Sequence, residues 1–314
     1  AVTGTNGKTS VVSFFNQILN HNKINSASIG TLGINSKKIK IKTKLTSMDP
    51  IFLHKNLKIL KEKNIEIVIL EASSHGLDQN RLDYIKFKTG IFTNLSHEHL
   101  DYHKNFKNYL NSKMYLFKKL LNKKSNIITD SGNKEYKILK KISLTKKIKI
   151  NTIGIKKNDL KVLNYEFLDQ AQLLKILYNK KIYKVKVPLI GSLQIKNIMM
   201  SVLAAKSVGI KFKNIMNSLE KLKPVDGRLE FVGAQRNNSK IIIDFAHTPH
   251  ALEQTLLTIK DHFQNNISLV FGCGGERDIK KRSIMGKIAK KYCKKIYITD
   301  DNPRTEDAKI IRSM

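Results

Sequence analysis

No apolar run in the chain approaches the roughly 18 residues that a membrane-spanning helix needs, and no secretory leader is visible at its start. Membrane insertion is therefore not expected. Cysteine is scarce: Cys273 and Cys293 are the two in 314 residues, in neither a CxxC pair nor a zinc-ligand spacing with histidine. That excludes a disulfide framework and points to a reduced, cytoplasmic setting, with each thiol read as a small buried apolar group. Arginine is equally sparse, with seven residues at 81, 228, 236, 277, 282, 304 and 312. The formal charge of +33 thus comes from lysine, spread along the whole chain rather than gathered in one stripe. Charge alone supports a basic nucleic-acid-binding ATPase; dispersed lysine reads better as solvated surface, and no nucleic acid is expected as a partner.

What is present is enough for two cores. Apolar residues make up 41% of the chain, and its length exceeds what one hydrophobic core usually organises. The opening AVTGTNGKTSVVSFFNQIL reads as a strand end, a glycine-bearing loop and a helix with Val11, Val12, Phe15 and Ile18 on one face. The runs 65–73 and 90–96 are almost continuously apolar, as parallel strands buried on both faces are. Helical patterns over 50–63 and 104–122 alternate with them. This predicts a doubly wound, mostly parallel α/β sheet. Between Lys146 and Pro188 four short alternating segments read as antiparallel strands added to that sheet, and helices return over 194–209 and 212–222. Pro224, Asp226 and Gly227 then punctuate the chain. The expected division is a first α/β domain over 1–222 and a second, Rossmann-like α/β domain over 223–314. Both are read as truncated, the first at its opening strand and the second in mid-pattern at Met314.

Chemistry concentrates at the ends of the strands. In Gly4-Thr5-Asn6-Gly7-Lys8-Thr9, glycines let backbone N–H groups close around phosphate, Lys8 reaches the outer phosphates and Thr9 is placed to hold Mg²⁺. Val2 stands where the usual phosphate loop has its first glycine. Glu71 ends an apolar strand at the edge where open α/β sheets place their ligands, and suits Mg²⁺. Ser96 to His103 carries three histidines in seven residues, at 97, 99 and 103. With no thiolates nearby, one histidine on Mg²⁺ is preferred to a zinc site.

GTNGKT, EASSHGLDQNRLD, FTNLSHEHLDYH, YLNSKMYLF, DGRLE, DFAHTPHAL, FGCGGERDIKKR and DNPRTE follow one another in this order. Together they resemble the Mur ligase family, most of all its members that extend UDP-MurNAc-L-Ala-D-Glu by a third amino acid. The resemblance runs through essentially the whole chain. It implies that Gly4 to Ser10, with Asn197, Arg228 and His247, bind ATP; that Lys8, Lys113, Arg228 and His247 are catalytic; and that Thr9, Glu71, His99 and Lys113 serve two Mg²⁺ ions. Lys113 matches a lysine carried as a carbamate. Thr46, Ser47, Ser73, Gln79 and Arg81 match contacts to the UDP-MurNAc-dipeptide, and Arg277, Asp301, Asn302, Pro303 and Arg304 match contacts to the incoming amino acid. The DNPR arginine favours meso-diaminopimelate over lysine, because only diaminopimelate carries a second carboxylate for it to pair with. Met48, Gln194 and Asp226 depart from the family pattern without removing a group that the chemistry needs.

The reaction so implied is ATP-driven amide formation through an acyl phosphate. An N-terminal UDP-binding domain and a C-terminal tail are expected beyond this fragment, and the protein is expected to be a cytoplasmic monomer. The rival readings are a lysine-adding ligase, a folylpolyglutamate synthetase-like ligase on the same fold, and the nucleic-acid-binding ATPase.

Overall fold

The computed structural model describes residues 1–43, 45–96, 98–154 and 159–314. Two compact units emerge: residues 1–166, 170–189 and 194–225 form the first, and 167–169, 190–193 and 226–314 the second. Among the described residues no helix is long and apolar enough to cross a membrane.

In the first unit β1 (Val2–Thr3) leads through the glycine loop into α1 (Lys8–His21). There follow β2 (Ser26–Gly30), β3 (Gly33–Ser36), β4 (Lys40–Ile41), α2 (Pro50–Glu62), β5 (Ile67–Leu70), α3 (Ser74–Asp78) and β6 (Phe87–Phe92). Next come α4 (Leu100–His103), α5 (Phe106–Tyr115), a π-helical turn (Leu116–Leu120), β7 (Leu121–Asp130), α6 (Tyr136–Lys146) and β8 (Lys149–Ile153). The unit closes with β9 (Lys161–Phe167), β10 (Gln172–Tyr178), β11 (Lys181–Val187), α7 (Ser192–Ser207) and α8 (Phe212–Leu219).

Strand β1 pairs in parallel with β6, β6 with β7 and β7 with β8, while β5 pairs in parallel with β2. A single parallel bridge from Val2 to Glu71, with Ala72 N–H donating to Val2 O at 2.8 Å, brings β5 beside β1. Successive residues point to opposite faces of a strand, and here they enter different cores. Ile69, Ile91 and Ile128 pack with α1, α7 and α8. Their neighbours Leu70, Phe92 and Ile127 pack with α2, α5 and α6. Helices therefore cover both faces, and the near-continuous apolar runs of the sequence are explained. Asp49 caps α2 by accepting from Phe52 N–H at 2.9 Å, with Pro50 at the first helical position.

Two expectations need correction. Of the four segments read as antiparallel additions to the main sheet, the first is β8, which joins that sheet in parallel; the other three form a separate sheet in the order β11-β10-β9. Leu174, Ile176, Val185 and Val187 bury one side of it in the core that α7 and α8 share, so alternation reported a half-buried sheet but not its partner. The helix expected over 104–122 ends its regular turns at Tyr115 and finishes in the π-helical turn.

The second unit contains β12 (Glu230–Ala234), β13 (Lys240–Ile243), α9 (Pro249–Phe263), β14 (Ser268–Phe271), α10 (Lys280–Tyr292), β15 (Lys295–Ile298) and α11 (Ala308–Ser313). Strands β14 and β15 pair in parallel across α10, as a Rossmann-like βαβ unit does. Strand β13 lies outside this parallel pair and pairs antiparallel with β12, an element that the sequence pattern does not mark. The core here is small: Leu252, Leu256, Cys273, Met285 and Ile311. Cys273 lies in it with its Sγ 3.9 Å from Met285 Sδ.

Candidate nucleotide and substrate site

The loop between β1 and α1 is held from outside by the end of β6. Thr5 N–H donates to Asn94 O and Asn6 N–H to Asn94 Oδ1, both at 2.9 Å, and Thr93 Oγ1 donates to Asn6 O at 2.6 Å. Gly7 turns the chain into α1 with φ 85°, a left-handed conformation. A Cβ there would collide with the Asn197 side chain of α7. Asn197, expected to face the nucleotide, thus touches the loop. The first turn of α1, with Lys8, Thr9 and Ser10, has no acidic residue and no side-chain cap. Its first N–H groups lack helical partners and its positive end is available to an anion such as phosphate.

Two lysines converge on one carbonyl. Lys8 Nζ donates to Gly4 O at 3.0 Å and Thr5 O at 2.8 Å, and Lys113 Nζ donates to the same Gly4 O at 2.8 Å. Lys113 is 1% exposed and lies 4.4 Å above the Tyr109 ring. Burial, and next the Lys8 charge, hold its amine well below the usual lysine range. Tyr109, itself fully buried, shares a 3.0 Å hydrogen bond with Thr5 Oγ1. Its hydroxyl is pushed up by burial. The ring therefore forms a floor linking Lys113 to the loop.

Glu71 lies between two clusters. Its carboxylate accepts from Thr9 Oγ1 at 3.1 Å, from Thr31 N–H at 2.9 Å and from Thr31 Oγ1 at 3.2 Å. Its backbone O accepts from Ser47 Oγ at 3.1 Å. Mg²⁺ completes an octahedral shell largely with water and phosphate and needs one or two protein oxygens. A buried carboxylate beside a hydroxyl at the mouth of a phosphate loop fits that demand. Among the described residues no group of three His, Cys, Asp or Glu side chains is arranged to hold a metal. His97 lies outside the described residues.

On the far side of Glu71, Ser47 Oγ accepts from Ser73 N–H and Ser73 Oγ, each at 3.0 Å, and Arg81 donates to Ser47 O at 2.9 Å and to Gln79 Oε1. Gln79 Nε2 donates to Tyr102 OH at 3.0 Å, which donates to Asp78 at 3.0 Å. Thr46 joins through Thr31, hydroxyl to hydroxyl at 3.1 Å. All five residues matched to the dipeptide are thus in one connected network. Beside it opens a cavity of about 430 Å³ bordered by Asp78, Asn80, Tyr102 and His103. Thr31 was not singled out from sequence; it follows a strand at the same sheet edge as Glu71, and that placement was the available signal.

His99 starts α4 with φ 56° and meets the His75 ring edge-on at 4.9 Å; His75 and His103 are 5.4 Å apart. Burial lowers the pKa of all three, that of His99 to about 4. A neutral imidazole retains the lone pair that a metal ligand needs. The unfolded chain binds these protons near the ordinary value of 6.5, the folded chain only at lower pH. Stability is then full above that value and falls as pH drops toward 4. Calorimetric melting between pH 7 and pH 4 is expected to show this decline, and His99→Asn to make it shallower. An identical slope in the variant would exclude His99 as a source.

In the second unit Arg228 lies 4.4 Å over the Phe245 ring, and His247 Nδ1 is 3.0 Å from Phe245 O, so the two expected nucleotide residues flank one phenylalanine. Asp244 organises this turn by accepting from Leu229 N–H at 2.8 Å and from Ala246 N–H and Thr255 Oγ1 at 3.0 Å. The GCGGERD and DNPR segments interlock. Gly275 N–H donates to Asn302 O at 2.9 Å, and Arg304 donates to Gly275 O. A Cβ on Gly275 would strike the Pro303 backbone, which explains a glycine there. Asp301 Oδ1 accepts from Asn302 N–H at 2.8 Å, and Arg277 is exposed on the neighbouring turn.

Comparison with known proteins gives the same result in both units. The Mur ligase middle domain matches residues 2–205, and the Mur ligase glutamate ligase domain matches residues 227–314. The UDP-N-acetylmuramoyl-L-alanyl-D-glutamate–2,6-diaminopimelate ligase of Rickettsia montanensis is 40% identical over 319 residues, covering 100% of this chain and 66% of its own length. The chain thus spans just under two thirds of that relative. A solved structure of a UDP-N-acetylmuramoyl-L-alanyl-D-glutamate–2,6-diaminopimelate ligase superposes with TM-score 0.76 at 29% identity, over 99% of this chain and 63% of the other. A folylpolyglutamate synthetase complex with AMPPCP and folate reaches TM-score 0.75 at 16% identity, over 99% and 82%, a likeness of fold alone. The chain belongs to the Mur ligase family.

Proposed function

We propose that the protein joins meso-diaminopimelate to UDP-MurNAc-L-Ala-D-Glu with cleavage of ATP to ADP and phosphate, as a cytoplasmic monomer in peptidoglycan precursor synthesis. The observation that carries this is the double role of Glu71. Its carboxylate meets Thr9 of the phosphate loop, while its carbonyl meets Ser47 of the network that contains Ser73 and Arg81. This link between the two networks supports a reading in which a phosphate donor and an acceptor carboxylate bind side by side.

In this reading Arg81 and the two serines orient the D-Glu side-chain carboxylate for attack on the γ-phosphorus. The α1 N-terminus and Lys8 offset the charge that builds on the transferring group. Two Mg²⁺ ions, when bound, would neutralise phosphate charge; Thr9 and Glu71 would hold one, and His99 with a carbamate on Lys113 would hold the other. The amine of the incoming amino acid then attacks the acyl carbonyl and phosphate leaves. The full-length protein should release ADP only with both UDP-MurNAc-dipeptide and an amino acid present. ATP turnover that ignores the dipeptide and rises with DNA or RNA would overturn this reading in favour of the nucleic-acid-binding ATPase.

The choice of amino acid rests on Arg304. Desolvated charge pairs lose about 2–5 kcal/mol when one partner is truncated, and the exposed position of Arg304 before binding favours the lower end. Arg304→Ala is expected to reduce kcat/KM for meso-diaminopimelate by roughly 30-fold or more, with lysine use little changed. Equal loss for both amino acids would remove Arg304 from specificity. Wild-type protein that prefers lysine would establish the lysine-adding alternative.

A further inference from the structure

We infer that Glu306 and Arg282 form a clamp that positions Arg304, and so act as specificity-positioning residues that do not touch the amino acid themselves. The inference rests on the reading of Arg304 as the residue that selects diaminopimelate. Arg282, on α10, is 4% exposed, and its Nη2 donates to Glu306 Oε1 at 2.9 Å and Oε2 at 2.8 Å. The same nitrogen is 3.4 Å from Gly274 O. Glu306 Oε1 also accepts from Glu276 N–H. One carboxylate thus ties together helix α10, the GCGGERD turn and the loop that carries Arg304 two residues upstream.

The consequence is geometric. Arg304 donates to Gly275 O, adjacent to Glu276, while Asn302 O accepts from Gly275 N–H at 2.9 Å. Any slip of Glu276 against Glu306 therefore shifts the turn on which the Arg304 fork rests. A bidentate arginine loses its partner within a fraction of an ångström of misplacement, more sharply than a flexible lysine does. Arg282 contributes the anchor because it sits on a regular helix and is packed on nearly all sides. The Glu276 N–H and Arg282 hold the Glu306 carboxyl below the usual carboxylate range, in keeping with a charged partner in the clamp.

A merely structural ion pair would affect stability and every substrate alike, so the test separates the two. In the full-length enzyme, Glu306→Gln keeps an acceptor for Glu276 N–H but breaks the charge pair. It is expected to raise KM for meso-diaminopimelate about tenfold and to shrink the diaminopimelate-to-lysine preference by the same factor, leaving KM for ATP and the UDP-MurNAc-dipeptide within about twofold. Because that variant leaves Arg282 buried without its counter-charge, the pair Arg282→Met with Glu306→Gln is measured beside it. The double variant is expected to regain much of the melting temperature and none of the lost preference. Regained stability together with wild-type preference, or a uniform fall in kcat for both amino acids, would overturn the clamp while leaving the Arg304 reading intact. A wild-type enzyme with no preference for diaminopimelate would overturn both.

Discussion

Lys8→Ala in the full-length protein is expected to reduce ATP-dependent ligation by a hundredfold or more while leaving the fold standing. Removing one preorganised donor aimed at developing charge costs about 2.7–4 kcal/mol in transition-state stabilisation, equivalent to roughly 10²–10³ in rate. Lys8 Nζ now donates to Gly4 O and Thr5 O at 3.0 and 2.8 Å. Those bonds hold the amine over the loop, where phosphate oxygens can take over from carbonyls. The loop has other supports. Asn94, Thr93 and the Thr5–Tyr109 bond fix it without Lys8, so the loss should appear in turnover far more than in melting temperature. Lys8→Arg keeps the charge but not the compact point geometry, and partial activity is expected. A Lys8→Ala protein that ligates at the wild-type rate would take the loop out of the mechanism.

How much of this site the sequence disclosed depends on whether the chemistry is local. Gly4 to Thr9 is contiguous, and its spacing alone placed a phosphate loop before a helix. Glu71 was legible because an acid at the end of an apolar run marks a sheet edge. Lys113 is reached only through the family resemblance, because its burial arises from α5 packing against the loop and one lysine among so many carries no local mark. Tyr109 and Thr31 carry no such mark either and are not singled out, since their partners Thr5 and Glu71 are far away in sequence. Glu306 and Arg282 belong to quoted motifs, but their pairing appears only once β14 and β15 bring the two loops together. In the fold, periodicity identified half-buried strands over 146–188 without revealing which sheet each joins, because partner choice is decided by tertiary packing. Strand β12 was overlooked because its Glu230-Phe231-Val232 run is short and interrupted by Gly233.

Replacing Lys113 by Ala is expected to lower activity by at least two orders of magnitude, and added formate or acetate should restore part of it. The argument starts from charge. Lys8 and Lys113 donate to the same Gly4 O, so two ammonium groups would face each other across one carbonyl, one of them buried at 1% exposure. Like charges at such range repel strongly wherever water is excluded, and burial together with the Lys8 charge drives the Lys113 amine in the direction that relieves this, toward the neutral form. A neutral amine is the form that adds CO₂, giving a carbamate and releasing one proton. The product is an anion beside Lys8, so repulsion becomes attraction, and the carbamate N–H can still donate to Gly4 O. The same anion supplies the oxygen ligand that the proposed second Mg²⁺ requires, which the amine cannot. Carbamylation depends on neutral amine and should therefore diminish as pH falls. Carbon-13 NMR of enzyme equilibrated with labelled bicarbonate should show one carbamate resonance that Lys113→Ala lacks. A small carboxylate entering the vacated space would stand in for the carbamate oxygens, whereas it could not replace a lysine acting as a cation. An unmodified Lys113 in fully active, metal-loaded enzyme, or failure of formate and acetate to rescue a well-folded Lys113→Ala protein, would contradict the carbamate.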